Sequence, residues 1–188
     1  MSPADVFRRI IEALDRAEIP YMLTGSFASS YHGAPRATQD IDLVIAPTPD
    51  QLNTLVRLLP ETEYYVDLEA ALDAQKRQTQ FNIVDFATGM KVDLIIRKSR
   101  PFSHAEFSRR IPADLQGLRI VIASAEDVVL SKLEWAKLGG SQRQIEDVAG
   151  ILVIRSRELD FPYIENWVRE LGIEEQWHAA RRLANLSS

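Results

Sequence analysis

The chain contains no cysteine among its 188 residues. That excludes a disulfide framework, a thiolate zinc site and a cysteine nucleophile. Histidine is nearly as scarce: His32, His104 and His178 lie far apart, without metal-ligand spacing. Any metal is therefore expected to be hard and oxygen-bound, such as magnesium or manganese. No apolar run approaches the ~20 residues of a membrane span. The first residues, 1–15, carry dispersed charges and no apolar stretch of signal-peptide type. A cytoplasmic location without membrane attachment is the expectation. A positive excess is also missing: the net charge is −5, which argues against a general nucleic-acid binder. Locally the balance reverses, since residues 97–143 hold nine Lys/Arg against five Asp/Glu. Such a segment could face a phosphate-bearing substrate, or simply be solvated surface.

What remains is the composition of a soluble globular protein, 46% hydrophobic and 26% charged, long enough for one ordinary core. The pattern changes near residue 122. Before it, short apolar runs alternate with helical stripes. Residues 3–17 place Val6, Ile10, Ile11 and Leu14 on one helical face. Strands are expected at 21–24, 40–46, 81–86, 91–96 and 118–122, with the 81–86 and 91–96 pair joined as a hairpin at Thr88-Gly89. Helices are expected at 27–32, 49–59 and 67–76. Beyond it, residues 124–186 keep helical spacing, with breaks near Gly139-Gly140, Pro162 and Gly172. Ser124 and Asp127 form a capping-box pattern at its start. Trp135, Trp167 and Trp177 have helical spacings suited to core packing. The expected fold is α/β (α+β): a small mixed sheet flanked by helices over residues 1–122, with a C-terminal helical segment over 123–188 packed on it.

One stretch carries chemistry. Gly25-Ser26 follows a short apolar run, and thirteen residues later comes Asp40-Ile41-Asp42-Leu43-Val44-Ile45. Alternate strand residues share a face, so Asp40 and Asp42 project together, about 6.5 Å apart along the strand. Two carboxylates on one face repel unless a positive charge compensates them. Val92-Asp93-Leu94 sets a third acid inside a β-rich run, where aspartate is unfavourable. Three acids on neighbouring strands would make a two-metal site for phosphoryl or nucleotidyl chemistry. Asp93 would then lie nearest the acceptor hydroxyl, as a metal ligand and proton acceptor. Lys132 sits among Val128, Val129, Trp135 and Ala136 at helical spacing, where a lysine needs a partner or must snorkel. Asp147 could pair with Arg143 one turn away.

The Leu23-Thr24-Gly25-Ser26, Asp40-Ile41-Asp42-Leu43 and Val92-Asp93-Leu94 segments resemble the signature of the nucleotidyltransferase superfamily with a polymerase-β-like core. That resemblance implies transfer of an NMP group from an NTP to an acceptor hydroxyl. It implies that Gly25 and Ser26 hold the β- and γ-phosphates and that Asp40, Asp42 and Asp93 hold magnesium or manganese. The run from His32 through Arg36-Ala37-Thr38-Gln39 to Asp42 is similar to the R-x-T-x-D-I-D form of AbiEii-like toxin nucleotidyltransferases of bacterial toxin–antitoxin systems. Ala123–Leu133 and Arg143–Asp147 resemble later segments of that group, with Ala125 where it usually has proline. By the same resemblance Lys132 and Asp147 belong to the active site. Arg36 could contact phosphate or acceptor, or be a solvated loop arginine. The chain ends without the long extension of the larger toxins. The implied partners are an NTP, an acceptor that is tRNA, protein or small molecule, and an antitoxin protein. Two other readings stand beside this one. One is a catalytically silent nucleotide- or partner-binding regulator. The other is a small-molecule modifier of the aminoglycoside nucleotidyltransferase type.

Overall fold

A computed structural model describes residues 3–35, 40–115 and 117–186. Two compact units are present. The first comprises Met1–Thr24 and Thr38–Ile122, and the second Gly25–Ala37 and Ala123–Ser188.

The first unit is built on a seven-stranded mixed sheet in the order β3-β4-β5-β2-β1-β7-β6. Its strands are β1 (Tyr21–Thr24), β2 (Ile41–Ile45), β3 (Tyr64–Tyr65), β4 (Gln80–Asp85), β5 (Lys91–Ile96), β6 (Ile111–Leu115) and β7 (Leu118–Ile122). β2 lies parallel to β5 and antiparallel to β1, and β1 lies parallel to β7. β4 and β5 form the expected antiparallel hairpin. Strand alternation divides the side chains. Ile41, Leu43 and Ile45, with Val92, Leu94 and Ile96, are buried on one face. Helix α1 (Pro3–Arg16) buries the predicted stripe of Val6, Ile10, Ile11 and Leu14. Helix α3 (Pro49–Leu58) starts at a capping box in which Thr48 and Gln51 bond reciprocally, and buries Leu52 and Leu55. Helix α4 (Leu68–Arg77) is capped by Asp67, whose carboxylate accepts from the Ala70 N–H at 3.0 Å. Helix α5 (Pro101–Ser108) buries Phe102 and Phe107.

The second unit is helical: α2 (Gly25–His32), α6 (Ala125–Gly139), α7 (Gln142–Arg155), α8 (Phe161–Leu171) and α9 (Glu174–Leu183). Ser124 opens α6 as expected. Its hydroxyl accepts from the Asp127 N–H at 3.2 Å and donates to the Asp127 carboxylate at 2.6 Å. Asp127 is fully buried, and its other oxygen accepts from the Tyr163 hydroxyl at 2.7 Å. One expectation needs correction. Trp135 is not core: it is 58% exposed, whereas Trp177 is buried. The helix break expected near Pro162 falls just before it, and Pro162 sits in the first turn of α8 behind the Asp160 cap, a position where its missing N–H costs nothing.

Helix α2 packs against α6 and α7. A Cβ on Gly33 would meet Ile151 Cγ1 at 2.9 Å and the Ile151 backbone N at 3.0 Å, so only glycine permits this approach. His32 is 2% exposed, and its Nε2 lies 2.7 Å from the Ala123 carbonyl, to which the neutral ring donates. Burial holds its pKa below the ordinary 6.5, and nearby Arg155 pushes the same way, while the Ala123 carbonyl and Glu126 oppose. A folded-state value below the unfolded one means stabilisation that is present above about 6.5 and lost as pH falls through the lowered value. The melting temperature is therefore expected to fall as pH drops below about 6.5, with a flatter profile in His32→Gln.

Candidate functional site

Hydrophobic alternation orients the carboxylates. Because Ile41, Leu43 and Ile45 point into the core, Asp42 points to the opposite face of β2. Val92, Leu94 and Ile96 do the same for Asp93 and Lys91 on β5. Asp42 and Asp93 are register partners on adjacent parallel strands, so they sit side by side at the ordinary spacing of about 4.8 Å between strands. Thr24 flanks Asp42 from β1, and Asn82 flanks Asp93 from β4. The row across the sheet reads Thr24, Asp42, Asp93, Asn82. Asp93 is 9% exposed and Asp42 half-buried. Asp40 is exposed and immediately precedes β2.

The compensating charge is Lys91. Its Nζ lies 3.0 Å from Asp93 Oδ2. Its pKa is raised, first by the hydrogen bond to Asp93, with the charges of Asp93, Asp40 and Asp42 adding to it against partial burial. One ammonium thus feels all three carboxylates. Sequence reading overlooked it, although the signal was present: Lys91 stands two residues before Asp93 and must share its face. Among the described residues, no group of three His, Cys, Asp or Glu side chains is gathered closely enough to hold a metal ion. The donor set is nonetheless suited to a hard cation. It consists of carboxylates on a rigid sheet, two of them in register, with an ammonium supplying positive charge beside them.

Gly25 adopts φ +64°, a left-handed conformation that glycine takes without strain, and lets β1 turn at once into α2. Ser26 follows in the first turn of α2, and its carbonyl accepts from the Ser29 hydroxyl at 3.0 Å. Both belong to the second unit. So do Lys132 and Asp147, which the structure brings together across α6 and α7. Lys132 Nζ lies 2.7 Å from Asp147 Oδ2 and 2.8 Å from Gln144 Oε1. The side chains are 6% and 9% exposed. The buried lysine has its partner within the protein, from the residue that helical spacing would have matched with Arg143. Arg36 lies outside the described residues.

No family model matches the chain, and no curated protein matches it in sequence. Solved structures do share its fold. An antigenic nucleotidyltransferase-like protein from Paracoccidioides brasiliensis superposes with a TM-score of 0.54 at 16% identity, covering 92% of this chain and 89% of that one. ANT(2″)-Ia in complex with adenylyl-2″-tobramycin gives 0.56 at 12% identity over 91% and 97% of the two chains. A solution structure of the antibiotic-resistance factor ANT(2″)-Ia gives 0.52 at 14% identity, over 95% and 99%. The mixed sheet with flanking helices is therefore the nucleotidyltransferase fold.

Proposed function

We propose that the chain is a metal-dependent nucleotidyltransferase moving an NMP group from an NTP to an acceptor hydroxyl. The observation that carries this reading is the in-register Asp42–Asp93 pair on the face opposite the sheet's core, with Lys91 drawn to it. Like charges side by side repel within a sheet, which supports a site role for the pair. The fold shared with nucleotidyltransferases supports the same conclusion.

Asp40, Asp42 and Asp93 would hold magnesium or manganese. Bound there, the metal would neutralise the triphosphate and make the acceptor hydroxyl more acidic. Asp93 accepts the acceptor's proton on a carboxylate oxygen. The rigid sheet fixes that oxygen before substrate arrives, so catalysis is mostly positioning and charge compensation. Gly25 and Ser26 are assigned to the β- and γ-phosphates, and Arg36 to phosphate or acceptor. Lys132 is assigned to phosphate, with Asp147 holding its ammonium. Residues 1–122 form the catalytic core in this reading, and 123–188 the helical segment.

The acceptor is tRNA, a protein or a small molecule. The resemblance to AbiEii-like toxins favours a toxin with an antitoxin partner and rests on the Arg36–Asp42 wording and the two helical segments. The small-molecule reading gains support from a fold neighbour seen with an adenylylated aminoglycoside. Calorimetric titration with each of the four NTPs, with and without magnesium, checks the proposal together with a pyrophosphate-release assay. Magnesium-dependent NTP binding and acceptor-dependent release are expected. Metal-independent binding without release would support a silent regulator instead.

Lys91 competes with a cation for Asp93. Lys91→Met is therefore expected to tighten magnesium binding about three- to fivefold by calorimetry, since a half-exposed ion pair contributes about 1 kcal/mol or less.

A further inference from the structure

An open cavity of about 240 Å³ adjoins Asp93 within the first unit, lined by Tyr65, Asp67, Gln80, Asn82, Lys91 and Asp93 among others. We infer that this cavity is the acceptor site, and that it takes a small, phosphate-free molecule carrying a hydroxylated ring, of the sugar or cyclitol class. The inference rests on the nucleotidyl-transfer reading above and adds to it the acceptor's chemistry and the residues that select it.

The lining follows from the sheet register. Asn82 is the lateral partner of Asp93, and Gln80 shares its face two residues away on β4. Tyr65 pairs with Val84, on that same face. Tyr65 is 52% exposed, so core burial does not explain an aromatic residue there. Among the described residues, no side-chain hydrogen bond engages Tyr65, Gln80 or Asn82. Asp67 stands at the start of α4, one oxygen engaged by the Ala70 N–H.

This combination suits a hydroxylated ring. An aromatic face accepts the apolar C–H side of the ring, and two amides offer both donors and acceptors to its hydroxyls. Among the described residues, Lys91 is the one cation in the lining, and it is already bonded to Asp93. Asp67 and Asp93 contribute negative charge, which repels a phosphodiester backbone and welcomes an amino substituent. A nucleic-acid strand is therefore a poor occupant. A ring hydroxyl lying over Asn82 stands beside Asp93. In the transfer its oxygen bonds to the α-phosphorus, its proton goes to Asp93, and the bond from the α-phosphorus to the bridging oxygen breaks, releasing pyrophosphate.

The experiment is an NMR titration of the whole chain, following the side-chain amide signals of Gln80 and Asn82. The probes are D-glucosamine, myo-inositol and a short single-stranded RNA, with MgATP titrated separately. Glucosamine and inositol are expected to shift both amides. Tyr65→Ala, at an exposed position, is expected to weaken sugar binding at least tenfold while MgATP affinity stays within twofold. Asp67→Asn, which keeps an oxygen for the helix cap, is expected to weaken glucosamine more than inositol. The inference is overturned if neither sugar shifts the amides, if Tyr65→Ala binds both as tightly as the wild type, or if RNA is the probe that shifts them. Sugar binding without MgATP binding in the wild type would instead overturn the transfer reading, and the acceptor role with it.

Discussion

Asp42→Asn is expected to lower nucleotidyl transfer about a thousandfold or more while leaving the fold intact or slightly more stable. In the proposed role, losing one carboxylate that would hold the metal removes several kcal/mol of transition-state charge stabilisation, and each 1.36 kcal/mol is tenfold in rate. The stability half of the prediction comes from the sheet. Asp42 stands in register beside Asp93, half-buried, and Asp40 lies just before the same strand. Removing one of these charges relieves repulsion. A structural carboxylate would behave in the opposite way, with its loss lowering the melting temperature. Initial rates of pyrophosphate release, together with a thermal melt without metal, separate the two roles.

Breaking the Lys132–Asp147 pair is expected to have the largest effect on stability. Both side chains are almost fully buried, at 2.7 Å, and Gln144 also bonds Lys132. Asp147→Ala removes the carboxylate from a buried ion pair, and breaking such a pair costs about 3–5 kcal/mol. Denaturant unfolding should show that loss as a lowered midpoint. Replacing both residues, Lys132→Met with Asp147→Leu, is expected to recover most of the stability, because a well-packed apolar pair often equals a buried ion pair. The double variant also isolates the proposed role of Lys132 as a phosphate ligand. Restored stability with lost transfer supports that role, and restored stability with full transfer removes Lys132 and Asp147 from the chemistry.

The sheet and its carboxylates were legible because alternation is a strong signal when one face is fully apolar. Ile41, Leu43 and Ile45 on one side force Asp42 to the other, and Val92 and Leu94 do the same for Asp93. The elements that escaped lack that signal. β6 carries Pro112, which is tolerated because β6 is the edge strand of the sheet. β3 has only two residues. α5 buries Phe102, Ser103, Glu106 and Phe107, so it shows no amphipathic stripe. Trp135 has the spacing of a core residue, but its face of α6 is left exposed. The grouping of α2 with the later helices depends on contacts such as His32 with Ala123, ninety-one positions apart, which periodicity cannot register.

Lys91 shows most clearly how the site went beyond the sequence reading. Repulsion alone calls for a positive charge beside the acids, which a metal would supply. The protein also provides a lysine of its own, on the same strand as Asp93. The two answers are compatible, since an ammonium held at 3.0 Å by one carboxylate can yield to a divalent ion. The exposed Tyr65 and the amides of Gln80 and Asn82 extend the same face toward an acceptor.

The most direct measurement is anomalous diffraction from crystals grown with manganese and a non-hydrolysable NTP analogue. The account predicts a manganese peak coordinated by Asp42 and Asp93, with Lys91 displaced from Asp93. Manganese absent from those carboxylates while the nucleotide is bound would contradict it.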